Sequence, residues 1–141
     1  MTPIAIGTSL LTLIALSGAL GLLWRSTAGR VRPSSGTFAL AGIDGGAVTL
    51  LQFSTPMCLP CVGAHRLLSA IASERPDVRH VDIDLAARPD LVRRLNILQT
   101  PTTLIVDAEG VVHARIGGAP RRESVAAELE RVLALTCDRN A

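Results

Sequence analysis

The chain has 141 residues, enough for one compact domain and an appendage, and a formal net charge of only +2. Apolar residues make up 48% of it, yet it has one Trp, two Phe and no Tyr. So small a charge and so few stacking rings argue against a nucleic-acid-binding surface. All 14 basic residues are Arg, so no lysine is available as a Schiff-base nucleophile or proton carrier.

Ile4 to Trp24 is an uncharged run interrupted only by Gly, Ser and Thr. As a helix it would cover roughly 30 Å, the hydrocarbon thickness of a bilayer, and inside lipid it must be helical to satisfy its backbone. Trp24 stands at one end, where an amphipathic ring favours the interface. A cleaved signal peptide would carry positive charge ahead of its apolar stretch, and Met1-Thr2-Pro3 offers only the α-amino group. Residues 4–24 are therefore read as a single-pass contact with the lipid bilayer. Arg25, Arg30 and Arg32 follow the run and nothing basic precedes it, so the positive-inside tendency puts the remainder in the cytoplasm, with an extracytoplasmic domain as the alternative.

Residues 25–36 hold turn formers and no periodicity, and read as a polar tether. Thr37 to Leu40 reads as a short strand ended by a Gly42–Gly46 turn. Ala47 to Ser54 is a continuous apolar, β-branched run, which suits a strand buried on both faces. A helical pattern follows the Cys58-Leu59-Pro60-Cys61 segment to about Glu74, with Val62, Leu67, Leu68 and Ile71 as its apolar side. Val78 to Leu85 alternates with period two, and Pro89 opens a short helix through Leu95. Thr102 to Val106 is a strand, Asp107 to Gly110 a hairpin turn, and Val111 to Ile116 the returning strand. Arg121 to Leu135 is a final amphipathic helix with Val125, Leu129, Val132 and Leu133 buried. The expected division is an anchor over 1–24, a tether over 25–36, an α/β domain of order β-α-β-α-β-β-α over 37–136, and a tail over 137–141.

Of the three cysteines, Cys58 and Cys61 are two residues apart, directly after a buried strand and at the start of a helix. That spacing lets two sulfurs meet across one turn as a reversible disulfide. Unpaired N–H groups at a helix N-terminus favour thiolate over thiol. Cys58, nearer the end, is the expected nucleophile, and Cys61, one turn in, the resolving thiol. Pro60 falls in the first turn, where its missing N–H does no harm.

The strand–CxPC–helix segment resembles the active site of the thioredoxin family, over about residues 47–135. Thr100-Pro101, about 40 residues after the cysteines and just before a strand, matches that family's cis-proline loop. Gly117-Gly118 matches its glycine beside the substrate groove. The resemblance implies a thioredoxin-like fold and a thiol–disulfide oxidoreductase that reduces protein disulfides, draws electrons from an external donor, and needs no bound cofactor or metal beyond its Cys58–Cys61 disulfide. It further implies that Thr100, Pro101 and Gly117 contact substrate, and that Met57, Leu59 and Pro60 form the active-site loop.

The chain departs from the family at Gln52, where a buried acid usually serves the resolving thiol. Met57 and Ser54 likewise replace aromatic residues. Gln52 can hydrogen-bond but cannot titrate, which leaves His80 as the candidate proton carrier. His65 is read as an exposed helix residue, Asp82 and Asp84 as a solvated strand end, and Cys137 as a partly buried thiol. Two other classes of function fit a CxxC pair: a carrier of a soft metal such as Cu(I), and a redox-sensing membrane adaptor.

Overall fold

The computed structural model describes residues 3–27, 29–34, 36 and 47–139. Among the described residues nine elements follow in chain order: α1 (Pro3–Thr27), β1 (Val31–Pro33), β2 (Val48–Ser54), α2 (Leu59–Ser73), β3 (Val78–Asp84), α3 (Pro89–Arg94), β4 (Thr102–Asp107), β5 (Val112–Gly117) and α4 (Arg122–Arg139). From β2 onward this is the order expected from the pattern.

The strands form one sheet in the order β1-β5-β4-β2-β3, with β2 and β3 parallel and every other pairing antiparallel. β2 is an interior strand between β4 and β3, and its continuous apolar run reflects burial on both faces. Val48 and Leu50 pack with Leu68 and Ile71 of α2 and with Val125, Leu129 and Val132 of α4. Leu51 and Phe53 point the other way, joining Leu91 of α3, Leu85, Ile97, Leu104 and Val106. Helices therefore cover both faces, and truncating a fully buried leucine such as Leu68 or Leu91 would cost about 2–5 kcal/mol.

Several expected boundaries change. The stretch read as a tether over 25–36 is largely structured: α1 runs to Thr27, and Val31–Pro33 pair with Val31 opposite Ile116 on β5. A three-residue edge strand ending in proline has no periodicity of its own, and the partner strand supplies its order. Ser34 and Gly36 extend that edge, the Ser34 amide donating to His113 O and Gly36 O accepting from the Val112 amide. The expected strand Thr37–Leu40 and the Gly42–Gly46 turn lie outside the described residues. At the other end α4 continues to Arg139, so Cys137 belongs to a helix and is exposed. Val62 is half exposed, and Ala64 takes the inward place in α2 beside Cys61, Leu68 and Ile71. Ile6–Leu23 within α1 is long and apolar enough to cross a membrane, and none of it is buried inside the protein.

Candidate redox site

β2 ends at Ser54, and a tight turn, closed by the Cys58 amide donating to Thr55 O at 3.1 Å, leads into α2. Cys58 occupies the N-cap of that helix with extended backbone, and its side chain makes no capping hydrogen bond. Pro60 sits within the first two helical positions, so one N–H that would have no helical partner is absent. The Cys61 amide donates back to Cys58 O at 3.1 Å.

The two sulfurs form a disulfide, 2.04 Å apart, with Cα atoms 5.3 Å apart. Burial separates the two residues as expected: Cys61 is 4% exposed, whereas Cys58 is half-buried. Cys58 is therefore the more accessible of the two to an attacking group. Met57 at 94% and Leu59 at 86% exposure present an apolar rim beside it. Pro60 is exposed as well.

The Thr100-Pro101 peptide bond is cis, with Pro101 buried and Thr100 half-buried. Pro101 O accepts the Gly118 amide at 2.8 Å. Thr102 pairs with Phe53 on one side and with Gly117 on the other. Thr100, Pro101 and Gly117 thus lie at the end of the sheet from which the Cys58 loop departs. The side chain of Gln99 covers Gly117, since a Cβ there would meet Gln99 Nε2 at 2.4 Å.

Gln52 and His80 come together behind Cys61. Gln52 shares the α2-facing side of β2 with Val48 and Leu50, and His80 shares that side of β3 with Val78. Gln52 is fully buried, and its Nε2 donates to Cys61 O at 3.1 Å. Its Oε1 lies 3.2 Å from His80 Nε2, and His80 Nδ1 lies 2.9 Å from Ser69 Oγ. With the Gln52 amide nitrogen committed to a carbonyl, only one neutral assignment satisfies every group: His80 Nε2–H donates to Gln52 and Nδ1 accepts from Ser69. Burial pushes the His80 pKa below its usual value, helped by His65 and opposed by Asp82.

Asp82 is the residue the sequence reading undervalued. It is exposed, as a solvated strand end should be, but it also has partners: its Oδ1 accepts from Ser54 Oγ at 2.6 Å and its Oδ2 lies 3.1 Å from His65 Nδ1. His65 is exposed as expected, with its ring edge-on to His80 at 4.9 Å between centroids. Ser54, Thr55, His65, Arg66 and Asp82 line an open groove of 290 Å³ that reaches both cysteines. The available signal was parity: Asp82 shares its strand face with His80 and Val78, and the parallel pairing sets it opposite Gln52. No cluster of three or more His, Cys, Asp or Glu side chains suited to a metal occurs among the described residues.

The arrangement presents one accessible sulfur at a helix N-terminus, backed by a buried partner sulfur and a buried polar chain, which is suited to thiol–disulfide exchange. No family model matches the chain. It is 30% identical to a thioredoxin of Methanocaldococcus jannaschii over 88 residues, which are 61% of this chain and 96% of that one. To Thioredoxin H5 of Oryza sativa subsp. japonica it is 29% identical over 73 residues, 52% of this chain; the match spans about half, 54%, of the rice protein. Among solved structures, thioredoxin-2 of a malaria parasite superimposes with a TM-score of 0.59 at 15% identity, covering 71% of this chain and 96% of the other, a likeness of fold. With the archaeal protein matched almost end to end and the paired cysteines in place on this fold, the chain belongs to the thioredoxin family of thiol–disulfide oxidoreductases.

Proposed function

We propose that this protein reduces protein disulfides by dithiol–disulfide exchange while held at a membrane by α1. The observation that carries the reading is the half-buried Cys58 at the N-cap of α2, joined to a buried Cys61. In the reduced enzyme the Cys58 thiolate attacks one sulfur of a substrate disulfide. A Cys58–substrate disulfide forms, and the other substrate sulfur leaves and takes a proton. Cys61, as thiolate, then attacks the Cys58 sulfur, which frees the second substrate thiol and forms the Cys58–Cys61 disulfide. Two electrons have passed to substrate, and an external dithiol donor must return them. Thr100, Pro101 and Gly117 are the residues expected to hold the extended substrate segment, with Met57 and Leu59 as an apolar rim.

His80 is the base available to Cys61. Burial favours its neutral form, but its Nδ1 lone pair is occupied by the Ser69 hydroxyl. Proton uptake there needs Ser69 to rotate away, while Gln52 keeps the first turn of α2 in position.

α1 supports the anchor, and the arginines that follow it support a cytoplasmic domain, where the prevailing thiol poise favours reduction of substrates. Reduction of insulin by dithiothreitol tests the chemistry. The reduced wild-type chain should accelerate it and Cys58→Ser should not; stoichiometric Cu(I) binding without any acceleration would favour a metal carrier instead. Cys137, exposed and outside the disulfide, reports topology. A membrane-impermeant maleimide should label it only after lysis, and labelling of intact cells would overturn the cytoplasmic assignment.

A further inference from the structure

We propose that the substrates are disulfides held close to the surface of the same membrane, in proteins embedded in it or docked on it. The proposal rests on the reading above, in which α1 spans the bilayer and Cys58 exchanges disulfides. It comes from how little free chain separates the anchor from the redox end of the sheet.

α1 ends at Thr27, and Gly29 is already part of the fold. The Gly29 amide donates to Gly117 O at 2.8 Å. Gly29 is buried, has φ +75°, and a Cβ there would meet Ala119 O at 2.5 Å, so the junction is a close backbone contact that only glycine makes without strain. Two residues beyond Gly29, Val31 enters the sheet opposite Ile116. Ala28 is thus the single residue between the helix and the first fixed point of the domain. Two residues of extended chain reach about 7 Å. A free tether over 25–36 would instead have explored roughly 20 Å in root-mean-square length, and far more when extended.

The attachment point is also the working end of the sheet. Gly117, which receives Gly29, pairs with Thr102, and Thr102 pairs with Phe53 at the base of the Cys58 loop. Gly118 in turn binds Pro101. Two strand spacings are about 10 Å, so the start of the redox loop lies within roughly 20 Å of the end of α1. Arg30 and Arg32, both exposed, line a common groove with Gln99, Thr102 and Gly117, so the flank of the substrate groove carries the membrane-proximal positive charge. With only one residue of sequence between Thr27 and Gly29, the domain cannot carry Cys58 far from the bilayer.

The test uses the full chain in liposomes of neutral and anionic phospholipid. Two single-span substrates are reconstituted with it, each bearing the same small disulfide loop. One loop follows its membrane helix directly; the other sits on a continuous helical extension of about 60 residues, roughly 90 Å long. Insulin in solution is the third substrate. Wild type should reduce insulin and reduce the near loop at least tenfold faster than the far one. Inserting 30 Gly/Ser residues between Thr27 and Gly29 should bring the two loop rates within about threefold while insulin reduction is kept. Equal rates on near and far loops by wild type would overturn the proposal, as would a near-loop preference that persists in the insertion variant. Failure to reduce insulin would instead remove the oxidoreductase reading itself.

Discussion

Each end of the central sheet carries an aspartate facing a histidine, and the two pairs are built for opposite purposes. At the end where β4 turns into β5, Asp107 is buried; its Oδ1 accepts the Glu109 and Val111 amides, and its Oδ2 lies 2.7 Å from His113 Nε2. Both oxygens are committed to closing the hairpin. At the redox end, Asp82 holds Ser54 and His65 inside a groove open to solvent. There the same two residue types remain within reach of an incoming group. Identical chemistry becomes a staple or a site according to whether its hydrogen bonds end on backbone inside the fold or on side chains at its surface.

The contrast can be broken by substitution. The largest effect belongs to the sulfur that the redox end displays: Cys58→Ser should lower insulin reduction at least a hundredfold, to the background rate of dithiothreitol, without changing the thermal midpoint relative to the reduced wild-type chain. Wild-type turnover in that variant would remove Cys58 from the mechanism. Next, Asp107→Ala should destabilise by about 2–3 kcal/mol in denaturant titration, because two backbone amides and a histidine lose their acceptor. Its turnover at low temperature should stay near wild type. Asp82→Ala should behave in the reverse way, costing at most about 1 kcal/mol as a solvent-facing pair while changing the rate of insulin reduction several-fold. Equal stability losses from the two substitutions would erase the distinction drawn between the two ends.

A smaller effect concerns His80. Its folded pKa is depressed by burial, so below the unfolded value of about 6.5 the unfolded chain binds more protons than the folded one. Stability should therefore fall as the pH drops through 6.5 and level off once the folded protein also takes up the proton. His80→Gln should flatten that dependence in melts between pH 7.5 and 5; an unchanged slope would mean that other groups carry it. The smallest effect lies in the core: Thr103 Oγ1 is buried with no hydrogen-bond partner among the described residues. Thr103→Val keeps the shape, removes the unpaired hydroxyl, and should stabilise by about 1 kcal/mol in the same titration. Destabilisation there would show that the hydroxyl has a partner after all.

Much of the fold was legible because it is written in local pattern. The unbroken apolar run of β2, the alternation of β3 and the Asp107–Gly110 turn each depend on a few neighbouring residues. So does the reactive pair, since strand, CxPC and helix are contiguous in the chain. Val62 was misread because helical periodicity gives a stripe and not its centre, and the stripe centres on Ala64 and Leu68. Cys137 was misread because nothing local tells how far a helix outruns the core it packs on.

Residue order alone was sufficient for the apolar N-terminal helix, the α/β succession from Val48 onward, and a Cys58 less buried than Cys61, because these arise from short-range spacing and backbone chemistry. Three-dimensional pairing was needed to turn residues 31–33 into an edge strand, to face His80 and Asp82 toward α2, and to close the Gln52–His80–Ser69 chain behind Cys61. It was also needed to bind Gly29 to Gly117. Those contacts join residues 11 to 88 positions apart in the sequence and depend on strand register, which no local window contains.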